Sequence, residues 1–139
     1  MILLDTNVIS QAMKPNGDSS VRSWLNSRAK SDLFLCAPVL AELRYGAEIL
    51  PAGRKREAFF KACETIEFEK FSGRILPFDQ LAAHHFARLR AIRKTAGEPL
   101  PVMDGVIASI AAAHAMTLAT GNTKHFQDLG IPLIDPFTA

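Results

Sequence analysis

The sequence predicts an α/β domain with a mostly parallel sheet of four or five strands, covered by helices on both faces. Three observations predict it. Short apolar runs near residues 2–4, 33–36, 74–78, 116–120 and 131–134 have the length of buried strands. Longer segments with apolar residues at helical spacing separate them. Strands that alternate with helices form a parallel sheet, and each crossover lays a helix on one of its faces. With 139 residues and no linker or repeat, positions 1–139 read as one domain with a real core.

Composition narrows the class. Hydrophobic residues make up 48% of the chain and charged residues 22%, the balance of an ordinary globule. A formal net charge of +2 is too small for the whole-molecule field to hold a nucleic acid, so any such contact must be local. Cys36 and Cys63 lie in neither a CxxC nor a zinc-type spacing and read as reduced core residues. The N-terminus has no basic start and reaches Asp5 too early for a signal peptide. No apolar run has the length of a membrane span, because the Ala-rich segment after Asp104 is interrupted at His114. A cytoplasmic location is expected.

The first strand, Ile2-Leu3-Leu4, runs straight into Asp5-Thr6-Asn7. That places a carboxylate at the strand's carboxyl end, the edge where open α/β sheets bind ligands. Asp5 reads equally as the cap of the helix beginning near Val8. Asp18-Ser19-Ser20 offers caps for a helix carrying Val21, Trp24 and Leu25. Strand 33–36 leads to a helix with Pro38 in its first turn and Val39, Leu43, Ala47 and Leu50 as its stripe. Glu42 is expected near the beginning of this helix; its apolar neighbours make it a site candidate, and the helix dipole is the alternative account.

Residues 54–67 predict a helix with Phe59, Phe60, Cys63 and Ile66 inward. Its basic residues Arg54, Lys55, Arg56 and Lys61 read as a solvated face, with RNA contact as the lesser reading. Strand 74–78 is weakened by Pro77, which cannot donate to a ladder. Asp79 then caps a helix whose expected stripe is Leu81, His85, Leu89 and Ile92. On that helix His84 and His85 point about 100° apart and cannot share one ion. Arg88, Arg90, Arg93 and Lys94 are read as keeping it in water, the alternative being a flank for a polyanion. A Gly/Pro loop, 95–101, delivers the chain to a small-residue helix at 102–114 with Asp104 in its first turn. Strand 116–120 ends in the turn Gly121-Asn122.

If the first and fourth strands are parallel, Asp5 and Asn122 emerge on one sheet edge, and Glu42 and Asp104 return to it. At about 5 Å and an effective dielectric near 20, each like-charge pair repels by roughly 3 kcal/mol. Three carboxylates in one pocket therefore require a proton or a divalent cation. Carboxylate, hydroxyl and amide oxygens suit Mg²⁺ or Mn²⁺ rather than zinc. Such an ion can bridge a phosphodiester and activate water, so the chemistry expected is metal-dependent hydrolysis of a nucleic-acid backbone.

LLDTNVIS at the start, VLAELRYGA around Glu42, ILPFD, MDGVIASIAAAHAMTLAT around Asp104 and GNTKHF after it resemble, in order and spacing, the PIN-domain ribonuclease toxins of the VapC family, FitB-like branch. The resemblance covers essentially the whole chain. It implies a three-layer α/β/α fold, Mg²⁺- or Mn²⁺-dependent cleavage of RNA, a homodimer, and inhibition by a DNA-binding antitoxin within a larger complex. By position, Asp5, Glu42 and Asp104 match the family's metal-binding acids, and Thr6 and Thr120 match supporting hydroxyls. Asn122, which joins Asp5, Glu42 and Asp104 as an expected catalytic residue, falls where many members carry a fourth aspartate, and His125 where an acid often follows. One firmly bound ion is therefore expected at rest.

Two further readings stay open. One is a PIN-like module that binds RNA or a partner without cutting, for which Asn122 is the motive. The other is a phosphate-handling enzyme with Asp5 as nucleophile, weakened because Asn7 stands where a second aspartate is wanted. For the partner, the expectation is an antitoxin segment lying near the helix of Glu42, with a basic residue placed among the acids.

Overall fold

Ile2–Leu4 forms the first strand, β1, and all three of its side chains are buried. Successive strand residues point to opposite faces, so this sheet is covered on both sides and the molecule has three layers. The computed structural model describes residues 1–139. The other strands are β2 (Leu33–Cys36), β3 (Ile75–Leu76), β4 (Thr117–Ala119) and β5 (Leu133–Ile134). The helices are α1 (Thr6–Met13), α2 (Ser19–Ser27), α3 (Ala37–Glu48), α4 (Arg54–Thr65), α5 (Gln80–Thr95) and α6 (Val102–Ala113).

The sheet order is β3-β2-β1-β4-β5, and every neighbouring pair is parallel. The chain builds outward from β1 to β3, then crosses back to put β4 on the other side of β1. Connections on either side of that reversal leave the sheet in different directions and open a crevice at the carboxyl ends of β1 and β4. In register, Leu4 faces Ala119, so Asp5 and Thr120 leave the sheet side by side.

Local chemistry accounts for most boundaries. Asp18 caps α2 by accepting from the Val21 N–H, and Asp79 caps α5 by accepting from the Ala82 N–H. The third strand is only two residues long because Pro77 has no N–H to extend the ladder. After α4 the chain makes one π turn at Ile66–Lys70. Its outer basic residues are solvated, and Arg56 pairs with Glu48.

Two expectations need correction. Glu42 is the sixth residue of α3, in its middle rather than its start, because the helix begins at Ala37 directly after β2. The helix dipole acts on first-turn groups and leaves this glutamate unexplained. On α5 the buried side chains are Ala82, Leu89 and Arg93, while Leu81 and Ile92 are exposed. Leu89 is buried as expected and His85 half-buried, but at the two ends of the stripe Ala82 and Arg93 take the inward places of Leu81 and Ile92. The cause is α6, whose buried Gly105, Ala108 and Ala111 let the two helices approach closely. A Cβ on Gly105 would stand 3.1 Å from the Phe86 ring and 3.2 Å from the Arg90 chain.

Leu118 lies in the centre of β4 with no exposed surface. Leu118→Ala is expected to cost about 3 kcal/mol, measured as a lower urea midpoint with an unchanged slope.

Candidate active site

Asp5 follows the last residue of β1 and caps α1, accepting the Thr6 N–H at 2.8 Å on Oδ1. The two readings of this residue are compatible, since capping uses one oxygen only and the carboxylate also stands at the strand's carboxyl end. On Oδ2 it accepts the Thr120 hydroxyl at 2.8 Å and the Asn7 amide at 3.1 Å. Thr120 Oγ1 itself accepts the Asn122 N–H at 3.0 Å, which turns the hydroxyl proton toward Asp5. Thr6 donates its hydroxyl to Glu42 Oε1 at 2.6 Å, so the first two residues after β1 reach the middle of α3.

These contacts do not cancel the cost of burial. Asp5 is 6% exposed, and its carboxyl pKa is raised. Burial is the main cause, opposed by the Thr120 hydroxyl and the Thr6 N–H and reinforced by the charges of Asp104 and Glu42. Beside it, burial chiefly, with Asp5 and Glu42 adding to it, pushes the Cys36 thiol up to about 12. That thiol stays protonated and offers no thiolate to the site. Both cysteines are free and buried, as expected.

Asp104 sits in the first turn of α6 and is held from outside the acid group: its Oδ2 lies 3.1 Å from His125 Nδ1. The structure thus groups Asp5, Thr6, Glu42 and Thr120 in one hydrogen-bonded chain, with Asp104 near enough for its charge to act on Asp5. As placed, no three His, Cys, Asp or Glu side chains converge in a geometry that could hold a metal ion. Thr6 orients Glu42 and His125 orients Asp104, so each acid answers to its own neighbour rather than to the other two. Asn122 enters only through its backbone N–H; its side chain is exposed and does not cap the turn that follows.

The donor set still fits a hard divalent cation. It is made of carboxylate and hydroxyl oxygens, and a nearby positive charge would offset both the burial that chiefly raises Asp5 and the smaller repulsion from Asp104 and Glu42. Asp5, Glu42 and Asp104 are the residues that would hold it.

Two contributors were not assigned roles from the sequence. Asn7 donates to Asp5 and accepts the Gly121 N–H at 2.9 Å on its side-chain oxygen, tying the turn after β1 to the turn after β4. Its signal was an amide two residues beyond the carboxylate in a strand-to-helix turn. The lack of a side chain at Gly121 makes room for Phe137, which a Cβ there would meet at 2.7 Å, while Asn7 Oδ1 would stand at an ordinary 3.5 Å. His125 had no local signal, because its partner lies 21 residues away.

Fold and crevice together define a parallel α/β domain with an acid-lined ligand site at its switch point. The chain belongs to the PIN domain family, whose model matches residues 2–131. It is similar to VapC ribonuclease Y4jK of Sinorhizobium fredii, 39% identical over 99% of this chain and 98% of that one. It is similar to Toxin FitB of Neisseria gonorrhoeae, also 39% identical, over 99% of both chains. Among solved structures, FitAB bound to an IR36 DNA fragment matches with a TM-score of 0.92 and 39% identity, over 99% of this chain and 96% of that one. The resemblance carried by the ordered motifs is therefore met. No helix is long and apolar enough to cross a membrane.

Because the folded-state pKa of Asp5 is raised, the fold favours its protonated form. Stability from this group is complete below the ordinary aspartate range and falls as pH rises through the shifted value. Asp5→Asn keeps a capping residue and removes the charge. In EDTA at pH 7 it is expected to raise Tm by about 2–4 °C, a gain that shrinks steadily as the pH is lowered to 4. A Tm difference that grows on acidification would contradict the assignment.

Proposed function

We propose that this chain is the toxin of a toxin–antitoxin pair and that it hydrolyses RNA phosphodiester bonds with Mg²⁺ or Mn²⁺ at the Asp5 crevice. The observation that carries the reading is the Asp5 carboxylate at the switch point, destabilised chiefly by burial and further by two neighbouring acids. A fold rarely keeps such a charge in its interior unless a cation or reacting group uses it. Whole-length similarity to a protein named VapC ribonuclease supports the reaction. Similarity to FitB, and to the FitAB complex on DNA, supports a partner that binds DNA.

Asp5, Glu42 and Asp104 would hold the ion. When bound, a divalent cation polarises a phosphodiester and lowers the pKa of a water that attacks it. The chain's own groups do the orienting. Thr120 and Asn7 fix one oxygen of Asp5, and the Thr6 N–H fixes the other. Thr6 holds Glu42 through a single oxygen, leaving the other without a side-chain donor. Three acids and one phosphate sum to four negative charges, so one resident ion with a second arriving alongside substrate balances the site.

Inhibition follows from the same electrostatics. An antitoxin segment lying near α3 that places an Arg or Lys among these acids supplies the missing positive charge and blocks the substrate. The assembly we infer is a cytoplasmic homodimer of the toxin that joins its antitoxin in a larger complex.

One observation favours a second reading, a module that binds RNA without cutting it. Position 122 brings a backbone N–H rather than a carboxylate, and the acids are not converged as placed. If Asn122→Asp creates cleavage in an otherwise inert protein, this reading is correct.

The test uses purified protein and structured RNA with Mg²⁺ or Mn²⁺. Wild type is expected to cleave, EDTA to stop it, and Asp5→Asn or Asp104→Asn to lose on the order of 100-fold or more, the scale of removing a transition-state contact. Equal cleavage by all three proteins would point to a contaminant.

A further inference from the structure

Arg93 is buried in the core, 8% exposed, and no acid lies within ion-pair reach of it. A guanidinium taken out of water is costly unless its donors are met. Here backbone carbonyls meet two of its five: Nε donates to Glu98 O at 2.9 Å and Nη1 to His125 O at 2.7 Å. The carbonyl of Arg93 in turn accepts the Glu98 N–H at 3.0 Å, so residue 98 is pinned through both of its backbone groups.

Glu98 lies in the loop joining α5 to α6, and that loop sets where α6 and its Asp104 begin. Arg90 Nε holds the end of the same loop through Leu100 O at 3.1 Å. His125 lies in the short turn Thr123–Phe126 beyond β4, and its ring is the side chain that contacts Asp104. One planar fork therefore ties together the segment that carries Asp104 and the segment that carries its partner. A lysine brings the same charge but a single ammonium, without the rigid fork that reaches both carbonyls.

We propose that Arg93 is a positioning residue for Asp104, acting through the 96–101 loop and the His125 turn to set where that carboxylate stands in the crevice. The inference rests on the reading of Asp104 as part of the cation-dependent site.

The test is Mn²⁺ affinity by calorimetry on the full chain, with Tm and RNA cleavage kinetics alongside. The proteins are wild type, Arg93→Lys, His125→Ala and the double variant. Each single variant is expected to bind Mn²⁺ roughly tenfold more weakly, the lower end of what outer-shell changes cost. Each lowers kcat by a similar factor and leaves KM for RNA within about twofold. The double variant should be no weaker than the worse single one, since both act on one carboxylate. A lower Tm with wild-type Mn²⁺ affinity and kcat would make Arg93 merely structural and overturn the proposal. Should Arg93→Lys fail to fold, His125→Ala decides, its side chain being exposed: tenfold weaker Mn²⁺ binding supports the chain of contacts, and wild-type binding overturns it. If wild type neither binds Mn²⁺ nor cleaves RNA, the nuclease reading falls and this inference with it. Normal wild-type behaviour with unaltered variants removes only the role given to Arg93.

Discussion

The carboxylate of Asp5, taken out of water where the strand order reverses, is the constraint on which the rest of the site depends. Three donors from the turns after β1 and β4 reach it, and each hydrogen bond to a charged group contributes about 1.5–3 kcal/mol. Burial and two neighbouring acids still outweigh them, since its pKa remains raised. That imbalance is what supports the proposal of a reacting site here rather than a purely structural one. A carboxylate that only capped α1 would have no need of the Thr120 hydroxyl, the Asn7 amide and two more acids nearby.

The architecture makes that arrangement possible with very short strands. Pairing of Leu4 with Ala119 brings Asp5 and Thr120 out of the sheet together. Asn7 and Gly121 then lock the two turns to each other. Glu42 and Asp104 come from different helices, each oriented by one neighbour, Thr6 or His125. The acids are thus held near one another without being converged, which suits a site that completes itself around a cation. Stability given up at such a centre is made good by the fully buried Leu3, Leu4, Leu35 and Leu118 beneath it.

How much of this was legible in the sequence depended on range. The strand-end position of Asp5, the parallel sheet and the tight packing of α6 all follow from local pattern, and the structure has them. The family could be read because several short motifs recur in order, which no single motif would establish. Glu42 stands in the second turn of α3 because Pro38 does occupy the first, which puts residue 42 past the reach of the helix start. On α5 periodicity places Leu89 inward, as it is, but the partner helix decides the exact phase, and Ala82 and Arg93 rather than Leu81 and Ile92 are buried. Ile92 and Arg93 look interchangeable to a pattern until two distant carbonyls are found to claim the guanidinium. His125 and Asp104 could not be paired in advance, since their contact depends on a loop conformation that has no sequence signature.

The most direct test of the central claim is the anomalous difference map of a crystal of this chain soaked in Mn²⁺. The account predicts a peak within coordination distance of an Asp5 oxygen and of at least one oxygen from Glu42 or Asp104. A crystal that takes up Mn²⁺ elsewhere, with Asp5 still bonded only to Thr6, Asn7 and Thr120, would contradict it.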